Sequence, residues 1–449
     1  MRNSSPPQDP QLQHPTGSEL HPTVELDSKS QAGSGPPSSA GRTKHHRKQE
    51  RLQLATLCWT LFLAGWNDGS LGPLIPRIQQ AYHVGYTILS LIFIFQNLGC
   101  LLGAMINISL TPKYGFGKVM SSPSCACSSC QVICYALQAA ALPFPVFVLG
   151  GIINGAGVAV QDAQANAYVA SIAENSETKM GFVQAAYGAG ALIAPLVSTQ
   201  FAQQRHWSFH YIISLGITAL NTAFLAFVFR AKHQEDCLAQ IGQTVGEKDR
   251  APGDEGQSHF RQILSTKAVH LLALFLFVYV GTEVTIGGWI VSFMIAVRGG
   301  GPSAGYVSAG FFGGLTLGRI LLLPLNKKIG ERRAVYLYGL LAIALELVIW
   351  LVPSLVGGAL CAALVGVVLG PIYPIAMNHA GRVFPPWLLT GSIGWIAGTA
   401  TMGAAAVPFA TGAIAARVGI KSLEPVVVTM LAVMLVLWTV VQAQAGRRI

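Results

Sequence analysis

Stretches of about twenty mostly apolar residues recur along the whole chain, and twenty residues is the length an α-helix needs to cross the hydrocarbon of a bilayer. The first half reads as spans Leu52–Tyr82, Gly85–Leu110, Val119–Leu142, Val146–Ile172, Met180–Gln203 and Phe209–Phe229. The second half reads as Ala268–Val297, Gly305–Leu325, Ala334–Leu351, Leu355–His379, Leu388–Ala416 and Leu423–Ala443. The expected fold is an all-α membrane protein of twelve transmembrane helices. Charge supports this, because only 11% of residues are Asp, Glu, Lys or Arg where soluble proteins carry about 25%. The 49 glycines suit helices that pack in lipid through close backbone approach.

Polar stretches divide the chain. Residues 1–50, rich in Pro, Ser, Gln and His, read as a disordered cytoplasmic tail. No apolar core of a signal peptide lies near Met1, so the first spanning helix is expected to direct insertion. Residues 51–230 and 268–449 each carry six spans. Residues 231–267 read as a solvated cytoplasmic connector. Lys and Arg crowd the tail, the connector and every second loop, which places both termini in the cytoplasm. That crowding, and not nucleic-acid binding, explains the net charge of +10. The plasma membrane is the expected site.

An internal repeat accompanies the two sets of six. Gly190-x4-Pro195 and Gly403-x4-Pro408 are offset by 213 residues, as are the basic loops after the second and eighth helices, and Asn166 and Asn378 fall within one residue of that offset. Two six-helix halves in parallel are expected.

Acids inside apolar runs are costly and normally functional. On the first helix, Gly65, Asp68, Gly69, Gly72 and Pro76 form one stripe, with Asn67 beside the acid. On the fourth, Gly151, Gly155, Ala159, Asp162 and Asn166 share a face. On the fifth, Gln184 and Tyr187 share a face that could reach a polyol. On the seventh, Glu283 sits near the middle, with Gly287 and Gly288 expected to loosen the helix and Trp289 a candidate to stack on a ligand. Glu346 and His379 read as structural, and Arg319, Lys327, Lys328, Arg332 and Arg333 as a cytoplasmic gate or lipid contact. The cluster Cys125, Cys127, Cys130 and Cys134 reads as small packing residues, since the four cannot share one helix face. No G-x4-G-K-[ST] or H-E-x-x-H motif is present, so neither an ATP-driven pump nor an enzyme is expected, and no cofactor or metal.

The twelve-helix plan resembles the major facilitator superfamily. More narrowly, Asn67-Asp68-x2-Leu71-x-Pro73 with Gln79-Gln80-Ala81-Tyr82 is similar to the N-D-x-x-L-P…Q-Q-A-F pattern of the fucose-permease-like branch. Asp162-Ala163-Gln164-Ala165-Asn166-Ala167-Tyr168-Val169 resembles that branch's E-x-A-x-N-P-[FY]-V motif, with Asp for Glu and Ala167 for Pro. The region Thr282–Trp289 looks like a fungal offshoot, the bypass-of-stop-codon-like transporters. The resemblance implies a major facilitator fold and proton symport of a sugar or similar small polar solute by alternating access. It implies that Asp68 contacts the solute and Asp162 carries the proton. Asn67, Asn166, Gln184, Tyr187, Glu283, Trp289 and Asn378 complete the expected solute site of a functional monomer. Two rivals use the same residues: proton-antiport efflux of toxins or metabolites, and a nutrient sensor that binds without transporting.

Overall fold

In lipid no water pairs with exposed backbone, so each spanning segment satisfies its own N–H and C=O groups as a helix. The structure, a computed structural model, describes residues 43–114, 127–172, 174–230, 232–243 and 256–445. Every regular element among them is helical.

The N-terminal half holds α1 (Lys44–Tyr82), α2 (Leu91–Tyr114, preceded by the single turn Tyr86–Leu89), α3 (Cys127–Ala139), α4 (Phe144–Ser171), α5 (Ser176–Ala202) and α6 (His210–Phe229). The C-terminal half holds α7 (Lys267–Arg298), α8 (Tyr306–Leu321), α9 (Glu331–Leu351), α10 (Leu355–Leu369, continued by Ile372–Val383), α11 (Pro386–Val418) and α12 (Leu423–Ala445). Among the described residues, nine helices are long and apolar enough to cross a membrane. A tenth results if Pro302–Leu321 and Leu323–Ile329, bent by 53°, count as one span. α1, which has a charged start, and α3, described from Cys127 onward, complete the two sets of six.

The pairing of helices repeats between the halves. α1 packs on α5 and α6, α2 on α4, and α3 on α4 and α6. Six helices on, α7 packs on α11 and α12, α8 on α10, and α9 on α10 and α12. The two Gly-x4-Pro motifs do the same work in each half. A Cβ at Gly190 would lie 2.0 Å from the Phe62 carbonyl oxygen of α1, and a Cβ at Gly403 would lie 2.1 Å from the Phe277 carbonyl oxygen of α7. Each glycine lets two backbones touch. Asn166 and Asn378 are not equivalent in this way, as shown below.

Three boundaries depart from expectation. α1 starts at Lys44, where the Thr43 hydroxyl caps it by accepting from the His46 N–H at 3.3 Å. The helix therefore begins within the stretch expected as tail, and residues 1–42 lie outside the described residues. The connector is not simply solvated. Its helix Gln234–Gln240 buries Cys237 and Leu238, together with Ile241, against Leu57, Leu61, Tyr168 and Phe229. Gln53 Nε2 donates to the Cys237 carbonyl at 3.3 Å, and burial pushes the Cys237 thiol up to about 11. Finally, α7 is one continuous helix of 32 residues through Gly287 and Gly288. These glycines do not loosen it; they admit the rings of Phe312 and Phe93, which a Cβ would meet at 2.8 and 2.5 Å. Of the cysteine cluster, Cys134 is buried against Gly150, and Cys125 lies outside the described residues.

Gly190 supplies a direct test of the packing account. Gly190→Ala is expected to force α5 off α1 at a cost of about 2 kcal/mol or more. The thermal unfolding midpoint of detergent-purified protein should fall clearly, while Gly181→Ala, where a Cβ meets nothing within 4 Å, should leave it unchanged.

Candidate functional site

The two halves meet along α1–α7, α5–α8 and α2–α11. These contacts lie toward the ends where α1 finishes at Tyr82, here called the far ends. Gly72 of α1 lies against the Gly287 carbonyl of α7, and Gly305 lies against Thr199 of α5. Gln200 Nε2 donates to the Tyr306 hydroxyl, and Gln203 Nε2 donates to the Pro302 carbonyl at 3.2 Å. Trp289 completes this seal. It is fully buried, donates from Nε1 to the Pro408 carbonyl at 3.0 Å, and packs on Tyr86 and Phe93 of the opposite half.

Just below the seal, α1 presents Asp68. It is exposed although it sits at the middle of a 39-residue helix. The far-end contacts lie on one side of it, and α1 begins on the other. An acid in such a place is solvated by a cavity and not by lipid. Asp68 Oδ2 accepts from the Tyr187 hydroxyl at 2.7 Å, and Oδ1 accepts from Asn67 Nδ2 at 3.1 Å. Asn67 is held in turn: its Oδ1 accepts from Asn154 Nδ2 at 2.6 Å and from the Tyr135 hydroxyl at 3.2 Å. The amide thus ties α1 to α3 and α4 while orienting the acid.

A second chain of contacts leads to Asp162. Asn166 Nδ2 donates to Asp162 Oδ1 at 3.1 Å and to its backbone carbonyl at 2.9 Å. Gln184 Nε2 donates to Asn166 Oδ1 at 3.0 Å. Gln184 and Tyr187, three residues apart on α5, therefore hold Asp162's partner Asn166 and Asp68 itself from one helix face. Asp68 and Asp162 are within electrostatic reach of each other.

The C-terminal half contributes Glu283, which lies within electrostatic reach of Asp68 and Tyr187. Beside it stands Arg319 of α8, within electrostatic reach of Glu283, Tyr279, Tyr373 and Tyr187. Arg319 was expected at a gate or in lipid contact; it belongs to this cluster. Its helix turn explains why. Phe312 and Thr316 face Gly287 of α7 and Gly188 of α5, and Arg319 follows Thr316 by three residues on the same face. Three acids and one guanidinium, with tyrosines and amides beside them, make a polar cluster between the halves.

Two expected site residues stand apart. Trp289 has no exposed surface for a ligand and serves the seal. Asn378 donates from Nδ2 to Glu331 Oε1 at 3.2 Å, and Glu331 also pairs with Arg382. This contact joins α10 to the start of α9, away from the acids.

Comparison with known proteins agrees with this architecture. Over 410 residues the chain is 26% identical to Bypass of stop codon protein 6 of Saccharomyces cerevisiae, covering 87% of this chain and 82% of that protein. It is 21% identical to the glucose/mannose transporter of Bacillus subtilis, covering 78% and 85%. The crystal structure of the E. coli fucose:proton symporter superposes with a TM-score of 0.57 at 17% identity, covering 86% of this chain and 98% of that one. Residues 57–321 match the Major Facilitator Superfamily. With its paired six-helix halves and a polar cluster at their seam, the chain belongs to the major facilitator superfamily of membrane transporters.

Proposed function

We propose that this transporter moves a sugar or similar small polar solute in symport with a proton, by alternating access of the chamber that holds Asp68. The observation that carries this reading is the unequal supply of donors to the two acids. Asp68 receives hydrogen bonds from Tyr187 and Asn67. Donors to a carboxylate favour its charged form, and in this reading Asp68 is the acid that grips solute hydroxyls. Asp162 receives a side-chain donor from Asn166, one turn along its own helix. Two charged carboxylates in one chamber repel, and a proton on Asp162 removes that repulsion. Solute binding next to Asp68 and protonation of Asp162 therefore favour each other.

Gln184 and Tyr187 sense both events, since each contacts one acid's circuit. Glu283 and Arg319 face the solute from the other half, so closing the halves around it brings both sets of polar groups to bear. A proton shifts the equilibrium of open forms only through different affinity for them; the Asn166–Gln184 link is the element that rocking of α5 against α4 would change. The sugar assignment is supported by the chain's similarity to a glucose/mannose transporter and a fucose:proton symporter. With the near ends and both termini in the cytoplasm, as Lys and Arg placement favours, the chamber would open inward. The plasma membrane is the proposed location and the monomer the working unit.

In proteoliposomes with an imposed pH gradient, Asp162→Asn is expected to abolish accumulation of a labelled sugar while leaving exchange of internal for external sugar intact. Accumulation at the wild-type level would refute the proton assignment, and movement of solute against the direction of the proton would identify efflux. Asp68→Ala removes a charge-assisted contact of about 1.5–3 kcal/mol. Solute binding, read by thermal shift across a panel of sugars, should weaken roughly tenfold to hundredfold.

A further inference from the structure

Away from the chamber, the C-terminal half buries a second pair of acids. Glu346 of α9 is 1% exposed and Glu424 of α12 is 0% exposed. Their helices pack on each other, and the two carboxyl groups face each other. Neither Glu424 oxygen, nor Glu346 Oε1, meets an N–H or O–H donor of the protein. Both residues lie toward the far ends of their helices: Glu346 is five residues from the end of α9, and Glu424 stands in the first turn of α12.

Two facing carboxylates sealed from water cannot both be charged; one proton between them turns repulsion into a hydrogen bond. The groups around the pair do not offer another solution. Cys361 of α10 is the nearest group on that helix and brings no positive charge. Arg298, at the end of α7, lies within electrostatic reach of Glu424. Its guanidinium, however, donates through Nη2 to the Ile349 carbonyl, and to that of Trp350 at 2.8 Å. Through Nη2 it caps the last turn of α9, and it rests over the Phe293 ring. Arg298 thus balances one negative charge at a distance, and a second charge has nothing to meet it. One proton shared between Glu346 and Glu424 leaves a single negative charge for Arg298 to balance.

We propose that Glu346 and Glu424 form a proton-binding site of their own, outside the solute path, whose shared proton latches the far end of α9 to that of α12. No bond other than this O–H···O contact forms or breaks; the proton comes from and returns to water. Losing it leaves two like charges between α9 and α12, at the turn that Arg298 ties to α7. Since α7 carries Trp289 and half of the far-end seal, the latch couples proton occupancy on this side to the integrity of that end. The site does not depend on Asp162 carrying the transported proton.

The test is thermal unfolding of the full-length protein in detergent between about pH 6 and pH 9. A folded state that holds a proton which the unfolded chain releases loses stability as pH rises. The wild-type midpoint is expected to fall by several degrees across this range. In Glu346→Gln the amide still donates to Glu424 but cannot ionise, so the profile should flatten and the midpoint at the acid end should match wild type. Parallel decline of the variant and wild type overturns the proposal. If Glu346→Gln does not fold, the apolar pair Glu346→Leu with Glu424→Leu removes both charges and should fold. A flat profile there supports the latch, and a decline equal to the wild type's overturns it.

Discussion

Close contact between helix backbones is what the rest of this molecule depends on. Lipid supplies no hydrophobic drive between helices, so they associate where small residues let them touch. Gly190 on the Phe62 carbonyl and Gly403 on the Phe277 carbonyl set α5 against α1 and α11 against α7. Gly99 and Gly103 meet Ile152 and Ala156 of α4, and, in the other half, Gly314 and Gly318 meet Ala363 and Val367 of α10. Each such contact fixes the rotation of a helix about its axis. Rotation in turn decides which side chains face the seam, and so where Asp68, Glu283 and Arg319 point.

On that frame the polar groups form two linked circuits. One runs from Tyr135 and Asn154 through Asn67 to Asp68 and Tyr187, and the other from Asp162 through Asn166 to Gln184. α5 supplies both Tyr187 and Gln184 and also carries the contacts to α8 that close the far ends. A movement of α5 therefore cannot leave either acid's surroundings unchanged. The carboxyl pair Glu346–Glu424 repeats this economy of buried charge in a different place, where the groups serve helix attachment.

Much of the chamber was legible in the residues. Asp68, Asp162 and Glu283 stand out because a carboxylate in an apolar run must be met by a cavity or a partner, and Asp68 lies within electrostatic reach of both Asp162 and Glu283. Gln184 and Tyr187 were legible from helical spacing. Trp289 was not placed correctly by its chemistry, because an aromatic ring suits a ligand and a packed interface equally, and only its burial tells them apart. Arg319 was missed for a related reason. A cation close to a helix end belongs by default with the cytoplasmic charges, and its face became meaningful once Thr316 was seen against Gly188. Gly287 and Gly288 carry the same lesson: glycine permits a bend and a close approach, and the neighbouring rings of Phe312 and Phe93 decide for approach.

The sequence by itself determined the class, the two sets of six spans, the repeat and the depth of the acids. These follow from the cost of exposing backbone and charge to lipid, which acts residue by residue along the chain. The tertiary structure alone decided how many donors each acid has, that Asn166 and Asn378 serve different ends despite equivalent positions, that the connector helix Gln234–Gln240 buries Cys237 and Leu238, and that Glu346 faces Glu424. Those outcomes depend on helix rotation and on groups dozens to hundreds of residues apart, and no local pattern encodes the meeting of two side chains across a helix seam.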